Sequence, residues 1–143
     1  MKKYLYTIPI LAFIGVMSIL SSCNKTASES NDIASADIES ILQKDNQGIE
    51  LSDGDISELL SITETYIKEI EQPIRDYNKA QRTNDVELER RAKLKGTKVE
   101  KEYYYMENVK SCLDRYMYDM NYNNKKRYEA ILDKIDELSY RNY

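Results

Sequence analysis

From Ser52 to Tyr77 apolar side chains recur at Ile56, Leu59, Leu60, Tyr66, Ile67, Ile70, Ile74 and Tyr77, with Thr63 in the same phase. Steps of three and four put all of them on one face of an α-helix, about six turns long. A strand would need alternation at every second residue, and none is present. Ser52, followed three residues later by Asp55, has the pattern of a capping box that satisfies the first free backbone donors. Pro73 falls inside the run. Proline in a helix interior removes one hydrogen bond and clashes with the preceding turn, at ~3 kcal/mol. Ile74 and Tyr77 nevertheless keep phase with Ile67 and Ile70, so the sequence predicts a kink there and not an end.

The rest of the chain carries the same kind of signal. Ile33, Ala34, Ile38, Ile41 and Leu42 predict a short amphipathic helix from Asp32 to about Lys44, stopped by "DNQG" at Gly48. "QRTND" ends the long helix, and Asn84 with Glu87 offers a second capping box. Gly96, with Thr97 and Glu100 behind it as a third box, allows a break. Equally, Leu88, Ala92, Gly96, Val99 and Tyr103 stay in phase if the helix runs through. Val99, Tyr103, Tyr105, Met106, Val109, Cys112, Leu113, Tyr116, Met117 and Met120 predict the next helix. "NYNN" at 121–124 reads as a turn, and Tyr128, Ile131, Leu132, Ile135 and Leu138 mark a last helix. Beyond residue 22 there are only three glycines and one proline. The expected fold class is all-α: a small antiparallel bundle of about three long helices plus one short N-terminal helix. A longer rod, with Gly96 or "NYNN" bridged by continuous helix, is the alternative.

The N-terminus has a different character. Lys2 and Lys3 precede an apolar run from about Ile8 to Leu20, closed by Ser21 and Ser22. That is the layout of a secretory signal peptide. It falls several residues short of the ~20 apolar residues that a spanning helix needs. Leu20, Ser21, Ser22 and Cys23 resemble the lipobox of bacterial lipoproteins: an aliphatic residue, two small residues and the cysteine. The resemblance covers residues 1–23 alone. It implies cleavage before Cys23, acylation of the Cys23 sulfur and a further acyl chain on the new N-terminus. Two chains anchor stably where one is marginal, at about 0.8 kcal/mol per buried methylene. By the same resemblance Asn24, standing where aspartate favours inner-membrane retention, leans towards the outer membrane. The chain thus divides into a leader (1–22), a lipidated cysteine with a polar tether (23–31) and a helical domain (32–143). Eight tether residues span ~15 Å as random coil.

Loss of the leader takes the 21 basic residues to 19 against 25 acidic ones, and the net charge from −4 to −6. An acidic domain without a basic stripe is repelled by phosphate backbones, so nucleic acid is not an expected partner. With Cys23 acylated, Cys112 has no partner for an internal disulfide and reads as a small buried hydrophobe. The chain has no histidine, which removes Ser-His-Asp and Cys-His catalysis and the Glu-x-x-His sites of di-iron bundles. Glu58, Glu64, Glu69, Glu87, Glu89, Glu100 and Glu102 mostly lie off the apolar stripes, as solvated residues do. "SDGDIS" resembles part of a calcium loop. Placing Gly54 at position six, however, puts Ile49, Leu51 and Leu60 at positions one, three and twelve, where oxygens are required. No enzyme, metal or cofactor is expected, beyond covalent lipid on Cys23.

Tyrosine is the unusual component: 13 in the chain, with no tryptophan and a single phenylalanine in the leader. Tyr103, Tyr104 and Tyr105 would fan over roughly 200° of a helix, too far to share one core. Tyr118 and Tyr122 lie one turn apart on the flank that Tyr104 approaches. Tyrosine suits both core boundaries and interfaces, because its hydroxyl tolerates water while its ring packs. "KKRY" at 125–128 reads as a solvated helix start that could also touch anionic headgroups. The expected function is a membrane-anchored, non-enzymatic envelope lipoprotein whose helical domain binds an envelope protein partner through Tyr103, Tyr104, Tyr105, Tyr118 and Tyr122. The alternative is a lipoprotein that holds a glycan or lipid between its helices, which requires an interhelical cavity lined by tyrosine and methionine.

Overall fold

The computed structural model describes residues 29–140, with side chains for 35–139. The leader, Cys23 and the tether up to residue 28 lie outside the described residues. Five helices follow one another: α1 (Glu29–Asn46), α2 (Asp53–Thr83), α3 (Val86–Glu102), α4 (Met106–Tyr116) and α5 (Tyr122–Tyr140). There is no strand among the described residues, and the chain is all-α. Helix α1 starts at Glu29, so it takes in residues assigned to the tether and is 18 residues long, against the 13 expected.

Helix α2 is the spine. Its capping box forms as its sequence predicts: Asp55 N–H donates to Ser52 Oγ (3.1 Å) and Ser52 N–H to Asp55 Oδ2 (3.2 Å). The helix then runs 31 residues through Pro73. Its stripe is buried from Ile56 to Ile74, Leu59 and Leu60 completely, with Tyr77 partly covered at its end. At ~1.5–3 kcal/mol for each fully buried large aliphatic side chain, this stripe outweighs the hydrogen bond that proline removes.

The hairpin between α2 and α3 differs from the expected capping by one residue. Asn84 is not the N-cap of α3. It ends α2 in the left-handed region (φ 52°), a conformation asparagine tolerates well, and Asp85 caps α3 by accepting from Leu88 N–H at 3.0 Å. Helix α3 passes through Gly96 without a break, and no box forms at Thr97. Instead Gly96 is buried where α3 lies against Pro73 of α2.

The single helix expected over 99–120 is interrupted. Tyr103–Tyr105 form a turn between α3 and α4, closed by Met106 N–H donating to Tyr103 C=O at 3.0 Å. The turn frees Tyr105 to enter the core while Tyr103 packs on Tyr66 with ring centroids 5.5 Å apart. A straight helix could not bury both. Together α3, the turn and α4 occupy 17, 3 and 11 residues, which equals the 31 of α2, and they run antiparallel to it. Contacts between Tyr66 and Tyr103, Thr63 and Met106, and Leu51 and Tyr116 step steadily along the pair.

"NYNN" is likewise not a turn. Asn121 caps α5 by accepting from Asn124 N–H at 2.8 Å, and Asn124 Nδ2 ties the helix start to the Asp53 carbonyl at 3.1 Å. Helix α5 then lies beside α2 in the same direction, joined by Arg127 to Ser57, Ser61 and Glu64, then Lys134 to Glu71, then Arg75 to Glu137. Helix α1 runs with α4, as Tyr104 bonds Glu39 and Arg115 bonds Asp45.

A Cβ on Gly96 would meet Pro73 Cβ at 3.9 Å, an ordinary contact. Gly96→Ala should therefore raise stability by roughly 0.5–1 kcal/mol through helix propensity, seen as a higher urea midpoint at unchanged slope. Gly96→Leu should lower it.

Candidate functional site

The five tyrosines expected to form one surface occupy three environments. Tyr105 is 4% exposed and belongs to the core, which removes it from any interaction surface. Tyr103 is half-buried against Tyr66 and Tyr105. Tyr104 is exposed at the α3–α4 corner, where its ring meets Tyr105 and its hydroxyl bonds Glu39. Tyr118 and Tyr122, 72% and 69% exposed, sit at the other end of α4. Eleven residues of helix separate the two groups by about 16 Å. The flank expected to join Tyr104 to Tyr118 depended on an uninterrupted helix, and the Tyr103–Tyr105 turn and the one after Tyr116 divide it.

The end of the bundle that carries Tyr118 and Tyr122 also receives a segment from elsewhere in the chain. The α1–α2 loop reaches the same end of the bundle, since Leu51 N–H donates to the Tyr116 hydroxyl (3.1 Å) and the Asp53 carbonyl accepts from Asn124. That loop presents Ile49, 49% exposed. Lys126 lies over the Tyr122 ring, 4.7 Å from its centroid. Ile49, Tyr118 and Tyr122 thus lie exposed at one end, close in sequence to the charged side chains of Arg115, Asp119, Lys125 and Lys126. Of "KKRY", Lys126 lies on Tyr122, Arg127 is spent on Glu64, Ser57 and Ser61, and Tyr128 is core. The opposite end exposes Val86, and the face of α3 exposes Leu94, each amid Glu87, Glu89, Arg90, Arg91 and Lys95. Single apolar residues among charges are ordinary surface.

The α3–α4 corner holds the most perturbed groups. Tyr66 hydroxyl and Glu100 Oε2 are buried without a hydrogen-bond partner. Burial pushes the Glu100 carboxyl up to about 7. Burial, then the charge of Glu100, raises the Tyr66 phenol well above its usual range. Burial, then Glu69, does the same to Tyr103, and Tyr105 is pushed up to about 12 by burial, Tyr104, Glu39 and Glu69. The sequence alone groups Glu100 with the solvated acids. Its spacing from Ala92 and Gly96, four and eight residues, does place it on the buried face of α3.

Among the described residues no cluster of three acidic, cysteine or histidine side chains could hold a metal. Between α2, α4 and α5 there is a cavity lined by Tyr66, Met106, Tyr128, Thr63, Ile70 and Ile135 among others. The lining has the tyrosine and methionine that a carrier requires, but the volume of about 30 Å³ holds no more than a water or a methyl group. The chain matches no family model, no curated protein and no solved structure.

Cys112 is completely buried, and burial followed by the Asp45 charge pushes its thiol up to about 12. Thiolate is the reactive form, so Cys112 should resist a disulfide reagent such as DTNB at pH 8 in the folded protein and react fully once unfolded in guanidinium.

Proposed function

We propose that this chain is a non-enzymatic lipoprotein of the cell envelope, anchored through acylated Cys23, whose helical domain is an accessory module that binds a protein partner. Supporting the anchor is the lipobox-type sequence at Leu20–Cys23 behind an apolar leader. With Asn24 after the cysteine, the outer membrane is the proposed location. The cleaved leader belongs to the same proposal.

One observation carries the binding role. The tether enters α1 at Glu29, and α1 is 18 residues, about 27 Å, long. Because α1 runs with α4, its start points away from the α4–α5 turn. The Ile49, Tyr118 and Tyr122 cluster therefore lies at the end remote from the anchor, presented outward from the membrane. Tyrosines with a polar rim are the composition of protein interfaces. The cavity between α2, α4 and α5 has no room for a glycan or an acyl chain, so it does not support the carrier alternative.

Two substitutions test the two halves. Cys23→Ala should move the protein from the membrane fraction to the soluble one. Tyr118→Ser with Tyr122→Ser should abolish recovery of a stoichiometric crosslinked partner from intact cells while leaving the thermal unfolding midpoint within about 2 °C, since exposed substitutions are usually within ±0.5 kcal/mol. Retention of the same partner by the double variant would contradict the assignment of the surface.

A further inference from the structure

An anchor at Cys23 sets the level of a membrane surface relative to the helices, and helix lengths say which other part of the domain reaches that level. Glu39 of α1 meets Tyr104 at the α3–α4 corner, and Asp45 meets Arg115 further along α4. From the corner α1 runs back ten residues to Glu29, about 15 Å. The 17 residues of α3 run back from the corner in the same direction, about 25 Å, to Val86. The α2–α3 hairpin therefore projects about 10 Å beyond the start of α1. Six residues separate Cys23 from Glu29, and a polar coil of that length spans about 13 Å. The acylated cysteine and the hairpin tip come to the same level.

The tip differs in charge from the acidic chain that carries it. Residues 79–93 hold Lys79, Arg82, Arg90, Arg91 and Lys93 against Asp85, Glu87 and Glu89. Each acid there is already engaged: Asp85 accepts from Leu88 N–H, Glu87 accepts from Arg90 with Arg91 3.9 Å away, and Glu89 pairs with Lys93 at 2.7 Å. Lys79 and Arg82 are exposed and form no ion pair among the described residues. The turn itself is fixed by Asp85 N–H donating to the Ala80 carbonyl at 3.0 Å. Val86 follows it, 78% exposed. One exposed valine is ordinary surface. One at the tip of a basic hairpin level with a lipid anchor is placed to enter headgroups. At the opposite end Asp45, Glu50, Asp53, Asp55 and Asp119 outnumber Lys44, Arg115, Lys125 and Lys126, so an anionic surface favours the hairpin.

We infer that the tip of the α2–α3 hairpin is a second membrane contact, in which Lys79, Arg82, Arg90 and Arg91 meet anionic phospholipid headgroups and Val86 enters among them. The inference rests on the Cys23 anchor and adds the attitude of the domain: with the hairpin down, the end carrying Tyr118 and Tyr122 points away from the bilayer. Attraction of basic side chains to an anionic leaflet reaches about one Debye length, ~10 Å at 0.1 M salt. Because the anchor holds the tip near the surface at high effective concentration, a contact too weak to bind alone is populated.

Amine acetylation of the acylated chain held in vesicles, with modified lysines read by mass spectrometry, tests it. Vesicles of phosphatidylcholine are compared with vesicles containing roughly 30% phosphatidylglycerol, at about 50 mM and about 500 mM NaCl. In the anionic vesicles at low salt Lys79 should react about fivefold more slowly and recover at high salt, while Lys126 reacts equally throughout. Arg82→Glu with Arg91→Glu, both at exposed positions, should remove the protection of Lys79 and leave the thermal unfolding midpoint unchanged. Equal Lys79 rates in the two vesicles at low salt overturn the inference, as does protection that survives the double charge reversal. Protection in native membranes without protection on phosphatidylglycerol gives the tip to an acidic protein and also overturns it. Failure of the anchor reading is a separate result, a chain that does not float with phosphatidylcholine vesicles at high salt, and the inference falls with it.

Discussion

The apolar stripe of α2 is the element on which everything else depends. Helices α1, α3, α4 and α5 all pack on it, and most of the polar links between helices also end on it: Arg127 with Glu64, Lys134 with Glu71, Asn124 with the Asp53 carbonyl. Such links at a partly exposed surface contribute little by themselves, about 0–1 kcal/mol each. Their use is in fixing register. The stripe supplies the free energy, and the paired side chains decide which turn of α5 faces which turn of α2.

That division explains what was legible in the sequence. The stripe from Ile56 to Tyr77 needs only side-chain spacing, and the Ser52 box needs only residues three apart, so both could be read directly. Continuity through Pro73 and the buried Cys112 were legible for the same reason. The Tyr103–Tyr105 break was not, because no glycine or proline marks it and Met106, Val109, Cys112 and Leu113 remain close to the phase of Val99. What breaks the helix is a tertiary demand: Tyr103 and Tyr105 each find a buried place only if the backbone turns between them. Asn84 and Asp85 illustrate a finer limit. Both residue types cap helices, and the left-handed ending of α2 selects which one caps α3. "NYNN" carries turn-forming residues that serve equally well as the N-cap and first turn of α5.

The candidate surface was legible only in part for a related reason. Exposure of Tyr118 and Tyr122 follows from their position off the stripes, but their company does not. Ile49 is distant in sequence and arrives because the α1–α2 loop docks under Tyr116. Tyr104 falls outside the group because α4 is a separate helix. Glu100 carried a signal in its spacing from Ala92 and Gly96, but its abundance of acidic neighbours masked it. Its Oε2 is buried without a hydrogen-bond partner, and burial pushes the carboxyl up to about 7.

In the proposed function the partner meets the end of the bundle that exposes Tyr118 and Tyr122. The direct test is site-specific photocrosslinking in intact cells, with the crosslinking residue placed in turn at 118, 122, 86 and 94, all exposed positions. Adducts to one and the same protein are expected from positions 118 and 122, and none from 86 and 94. Adducts from 86 or 94 alone, or from none of the four, would contradict it.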